Sequence, residues 1–122
     1  MDRKYNKNIG KLGENYAVKY LEKNKYKILN RNYSFRGGEI DIIAERPDKS
    51  IRFIEVKTRL NESYGKITET ISIHKKKFLK RSAYDYLMKE NIINENIGLD
   101  FIGILMDKNL EMIKFEFIED IN

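Results

Sequence analysis

Gly38-Glu39-Ile40-Asp41-Ile42-Ile43-Ala44 and Ile51-Arg52-Phe53-Ile54-Glu55-Val56-Lys57 are two β-type runs separated by the turn-rich Arg46-Pro47-Asp48-Lys49-Ser50. The spacing predicts a hairpin, with the only proline of the chain early in its loop. Charges set into otherwise apolar strands are costly to bury unless they are paired or bind a metal. Side chains alternate along a strand, so Glu55 and Lys57 project from one face, as do Glu39 and Asp41. If Glu45 pairs with Ile51, Asp41 falls opposite Glu55 and Glu39 opposite Lys57. Directly opposed Cβ atoms lie roughly 4.5–5.5 Å apart. Two carboxylates that close repel unless a proton or a cation sits between them. A divalent cation resolves the repulsion at neutral pH, and Asp41, Glu55 and Lys57 together form the set a metal-dependent phosphodiesterase needs.

The bland alternative is a salt-bridge cluster on a solvated sheet. The neighbours argue against it. Ile40, Ile42, Ile54 and Val56 make one face apolar, and Ile43, Ile51 and Phe53 make much of the other apolar. Strands buried on both faces carry few charges without a use for them.

Outward from the hairpin, residues Ile9 to Asn24 have helical periodicity, with Ile9, Leu12, Gly13, Tyr16, Ala17, Tyr20 and Leu21 on one broad face. Glu14 lies among Gly10, Ala17, Val18 and Leu21, on the side facing protein, and so needs a partner. Tyr26 to Tyr33 reads as a first strand, polar enough for a sheet edge, and Ser34 to Gly38 as a glycine turn. Arg59 to Thr70, containing Tyr64-Gly65, reads as a loop long enough for a flap. Ser72 is the expected N-cap of a second helix running to about Lys89. Leu99–Met106 and Glu111–Ile118 complete the strands around a turn at Asp107-Lys108-Asn109. The expected order is helix, three strands, helix, two strands.

The 122 residues suit one domain, 1–122, with a single modest core. No apolar run approaches membrane-spanning length. The start lacks the apolar core of a secretory signal, and there is no cysteine, so thiolate metal sites and disulfides are excluded and a cytoplasmic location is expected. The net charge of +5 is compatible with a polyanionic partner. Lys75, Lys76, Lys77, Lys80 and Arg81 on the second helix, with Arg36 and Arg59, are the candidate phosphate contacts. Lys75 projects to the apolar side of its helix, towards the charged hairpin. His74, the only histidine, has no second histidine beside it and is read as a surface residue.

Gly10-x-x-Gly13-Glu14-x-x-Ala17, Asn30-Arg31-Asn32-Tyr33, Gly38-Glu39-Ile40-Asp41-Ile42-Ile43-Ala44, Ile54-Glu55-Val56-Lys57-Thr58-Arg59, Ser72-x-x-Lys75 and Ala83-x-x-Tyr86-Leu87 together resemble the YraN family of small bacterial proteins. That family is similar to archaeal Holliday-junction resolvases within the restriction-endonuclease-like PD-(D/E)xK nucleases. The resemblance implies an α/β fold, a mixed five-stranded sheet flanked by helices in the order αβββαββ. It makes Asp41 the acidic residue of the second strand, Glu55-Val56-Lys57 the E-x-K motif, and Glu14 the helix-one glutamate. One departure is visible: the family commonly has Lys-Gln where this chain has Lys75-Lys76. The implied activity is endonucleolytic phosphodiester hydrolysis, with Mg²⁺ or Mn²⁺ held by Asp41, Glu55, the Val56 carbonyl and Glu14. DNA is the implied partner. Resolvase-like enzymes cut paired strands as dimers, so a homodimer is implied too. Three alternatives stay open: a non-catalytic nucleic-acid-binding module of the same fold, a protein-interaction domain, and an enzyme acting on RNA rather than DNA.

Overall fold

The computed structural model describes residues 3–36, 38–60, 72–93 and 96–121, with side chains from residue 9 onward. The elements are α1 (Arg3–Lys23), β1 (Lys27–Phe35), β2 (Gly38–Glu45), β3 (Ile51–Leu60), α2 (Ile73–Lys89), β4 (Ile97–Met106) and β5 (Met112–Ile118). This is the expected αβββαββ order, an α/β fold consistent with the restriction-endonuclease-like core. The five strands lie in sequence order, antiparallel except for the β3–β4 pair. A parallel pair needs a crossover, and α2 supplies it. β1 is at an edge, as its polarity suggested.

Two differences from expectation have local causes. α1 begins six residues early, because its first turns carry no apolar stripe to announce them. β3 runs on through Arg59 to Leu60, which moves Arg59 from the expected loop into the sheet, beside Leu105 of β4. The flap expected around Tyr64-Gly65 lies outside the described residues.

The sheet separates two cores. α1 covers Ile42, Ala44, Ile54, Ile102 and Ile104 through Ile9, Ala17 and Leu21. α2 covers Ile40, Ile43, Ile51 and Phe53 through Leu79, Ala83, Tyr86 and Leu87. Ile40 and Ile42 therefore face opposite helices, where strict alternation put them on one face. Opposite them on β1, Arg31 pairs with Ile42 and Tyr33 with Ile40, while Asn32 between them adopts φ 55°. Asparagine tolerates that left-handed conformation better than most residues, and the ribbon re-aims its side chains there, beside Asp41.

α2 starts where expected. Ser72 caps it, its hydroxyl accepting from the Lys75 N–H at 3.0 Å. At the far end of the sheet, Arg52 and Asp100 are 3% and 0% exposed and form a bidentate ion pair. Arg52 also donates to Asp120 at 2.7 Å, and the Asp120 N–H donates to Asp100 at 2.9 Å. Gly98 leaves room for this guanidinium, since a Cβ there would fall 2.3 Å from Arg52.

Candidate active site

The pairs Ile42–Ile54, Ile43–Phe53, Ala44–Arg52 and Glu45–Ile51 give the register deduced from the loop. The ladder stops at Ile42–Ile54. Asp41 and Glu55 are thus not a ladder pair, nor are Glu39 and Lys57, because the strands part there into a fork. The Val56 N–H, which a continued ladder would pass to Ile40, donates instead to Asp41 Oδ2 at 2.8 Å. In an extended strand a residue's N–H and C=O face the same edge. The Val56 carbonyl therefore opens into the fork as well.

Glu55 is 7% exposed and comes from the α2 side of β3. Lys75, in the first turn of α2, reaches it with Nζ 3.1 Å from Oε2. The same ammonium lies 5.3 Å from the centroid of the Phe78 ring. Burial pushes the Asp41 carboxyl up to about 8, helped by the adjacent Glu55 and opposed by the Val56 N–H and by Lys75. A buried pair of carboxyls retaining a proton is a site with too much negative charge for its surroundings.

Glu14 approaches from the α1 side. Its neighbour Gly13 allows the approach: a Cβ there would fall 1.9 Å from Thr58 Oγ1. Burial raises the Glu14 carboxyl above its ordinary value, with Asp41 adding to the rise and Arg31 opposing it. Arg31, 3.3 Å away and also bonded to Asn15 at 2.8 Å, is the partner the sequence called for. An open groove runs beside it, lined by Gly10, Lys11, Glu14, Arg31, Asn32 and Glu39. Glu39 is exposed on the rim, opposite Ser34, and pairs with neither Lys57 nor Arg36.

Lys57 is half-buried on the face it shares with Glu55, and among the described residues it forms no ion pair. Lys77, Lys80 and Arg81 are exposed on α2, and Lys76 is half-buried. Arg36 stacks its guanidinium 5.6 Å from the Phe35 ring, in the turn leading to β2. Arg59 is half-buried and donates to the Thr58 carbonyl at 3.1 Å. His74 is exposed, as read.

Asp41, Glu55 and the Val56 carbonyl are hard oxygen donors around one opening, a donor set that suits Mg²⁺ or Mn²⁺. Among the described residues, no three His, Asp or Glu side chains converge closely enough to hold a metal by themselves. Glu14 is tied to Arg31 and Glu55 to Lys75, so two of the acidic groups already have an internal cation as partner.

Residues 13–104 match the model of the family described as "Uncharacterised protein family UPF0102". The chain belongs to the UPF0102 family. The match spans Glu14, Asp41, Glu55, Lys57 and Lys75, so every acidic and basic group of the fork lies within it. Similar UPF0102 proteins occur in Clostridium perfringens (39% identical over 118 residues, 97% of this chain and 96% of the relative) and Geobacter metallireducens (39% over 110 residues, 90% and 89%). Another, from Dictyoglomus turgidum, is 37% identical over 113 residues, 93% and 95% of the two chains. These UPF0102 relatives match the chain nearly end to end. No helix among the described residues is long and apolar enough to cross a membrane.

The sequence reading missed the Arg52–Asp100 pair, which lies at the far end of the sheet from the fork. A signal was present: an arginine in the second β-run and an aspartate in Leu99–Met106, each flanked by apolar residues.

Proposed function

We propose that this protein is a metal-dependent endonuclease that hydrolyses phosphodiester bonds in DNA, acting in the cytoplasm. The observation that carries the reading is the Asp41 carboxylate in the β2–β3 fork. It is held by the Val56 N–H and crowded by buried Glu55. Lys57 stands two residues beyond Glu55, and among the described residues it forms no ion pair.

Asp41, Glu55 and the Val56 carbonyl are the groups that would hold Mg²⁺ or Mn²⁺, with Glu14 contributing from the α1 side. Such a cation supplies Lewis acidity towards the scissile phosphate. The remaining chemistry belongs to the chain. Lys57 orients the attacking water or offsets charge building on the phosphorane, a role an ammonium fills well beside a desolvated carboxylate. Burial of Glu55 keeps bulk solvent from one side of the reacting group. Lys75, Lys76, Lys77, Lys80 and Arg81, with Arg36 and Arg59, hold the phosphate backbone without reading sequence. A homodimer would present two such sites to paired strands.

The runner-up is a nucleic-acid-binding module without turnover. Among the described residues no three acidic side chains converge, which is the observation in its favour. The intact Asp41, Glu55 and Lys57 set favours catalysis.

The deciding experiment is cleavage of labelled duplex, single-stranded, flap and four-way-junction DNA, and of RNA, with Mg²⁺ or Mn²⁺. Wild type is run beside Asp41→Asn and Lys57→Ala. Cutting that is lost with EDTA, and falls at least about a hundredfold in both variants, supports the nuclease. Equal activity in all three proteins exposes a contaminant, and binding without cutting moves the reading to the module.

A further inference from the structure

Lys75 sits where the proposed mechanism puts the positive charge of a metal. Its ammonium lies 3.1 Å from Oε2 of Glu55, a nearly buried carboxylate. Opposite charges attract strongly at that range in a poorly solvated site. The arrangement is also built to release. The Lys75 side chain is 32% exposed, so one side of it is open to water. The Phe78 ring, 5.3 Å from the ammonium in this same position, continues to attract it as it leaves Glu55. That ring packs over Gly38, where a Cβ would fall 2.5 Å from it. Ser72 fixes the backbone of Lys75, so only the side chain has to move.

We infer that Lys75 is a built-in counter-cation that competes with the metal for Glu55 and is displaced when the metal binds. Resting on the nuclease reading, the inference gives Lys75 two positions: on Glu55 without metal, and turned out towards solvent with metal. In the second position its ammonium joins the basic face of α2, beside Lys77, Lys80 and Arg81. Loading of the metal then prepares the grip on a substrate phosphate. An ammonium 3.1 Å from Oε2 and a divalent cation on the same carboxylate would repel each other at short range in a poorly solvated site, so the two compete for Glu55.

The test is Mn²⁺ affinity, read from the EPR signal of the free ion, for wild type, Lys75→Gln and Lys77→Gln. Lys77 is exposed on the same helix and controls for the loss of one charge. Lys75→Gln should bind Mn²⁺ about tenfold more tightly than wild type, with Lys77→Gln within about twofold of wild type. Metal-free Lys75→Gln should melt below wild type, and saturating Mn²⁺ should close the gap. In the unmutated protein, Mg²⁺ should raise acetylation of Lys75 relative to Lys77, read by mass spectrometry. Unchanged or weaker Mn²⁺ binding in Lys75→Gln, or a melting gap that survives saturation, overturns the inference and leaves the nuclease reading standing. No Mn²⁺ binding by any of the three proteins overturns both.

Discussion

Alanine in place of Gly13 and of Gly10 should change stability in opposite directions. Both glycines lie inside α1, where alanine is favoured over glycine by about 1 kcal/mol. Nothing lies within 4 Å of a Cβ built on Gly10, so Gly10→Ala should gain about 0.5–1 kcal/mol. A Cβ on Gly13 would fall 1.9 Å from Thr58 Oγ1 and 2.9 Å from Thr58 Cβ and Cγ2. Turning the threonine side chain clears the oxygen and leaves Cβ too close. The helix must then back away by about 0.5 Å or more to reach ordinary carbon contact. Overpacking of this kind costs about 1–3 kcal/mol, and the severity of the clash places Gly13→Ala in the upper part of that range. After the propensity gain is subtracted, a net loss of about 1–2 kcal/mol remains. Urea denaturation of the three proteins, with m-values compared, reads the difference directly. A Gly13→Ala protein as stable as Gly10→Ala would refute the close packing of α1 on β3, and with it the account of how Glu14 reaches the fork.

Two further outcomes are expected. Asp41 holds its proton up to about 8 when folded, against an ordinary 3.8, so the folded chain binds more protons between those values than the unfolded one. Metal-free stability should therefore fall as pH rises through that window, by at most about 1.4 kcal/mol per unit, and level off above it. Asp41→Asn should flatten the slope in urea titrations at several pH values, and an equal slope in both proteins would refute the burial of this carboxyl. Arg52→Met leaves the fully buried Asp100 without its bidentate partner and should cost about 3–5 kcal/mol in equilibrium unfolding. Arg52→Met with Asp100→Leu should lose much less, and additive losses would sink that account.

The hairpin register was legible because its loop is short and its strands are punctuated by turn residues. The charged residues of the fork were legible because they interrupt apolar runs. Ser72 was legible as a cap because it precedes the periodic segment and its hydroxyl can reach the N–H three residues on. The divergence of β2 from β3 was not legible, since it depends on a side chain replacing a backbone acceptor. Ile40 was assigned to the wrong face because strict alternation takes no account of Asn32 at positive φ on the neighbouring strand. The extension of β3 through Thr58-Arg59-Leu60 was hidden too. Thr58 and Arg59 look polar in sequence, and what holds the segment in the sheet is its ladder with β4 and the packing of Gly13 of α1 on Thr58.

Asp41 serves the sheet and the proposed chemistry through the same carboxylate. Its oxygen takes over the duty of a missing main-chain partner for the Val56 N–H, and so closes the crotch of the fork. Truncating this residue to alanine would strand a peptide donor as well as remove a charge, and lost activity in that variant would be ambiguous. Asparagine retains an oxygen that can still accept the bond. Asparagine is therefore the substitution that can dissect function from folding at this position, and any natural chain with asparagine there would keep the fork while lacking the acid.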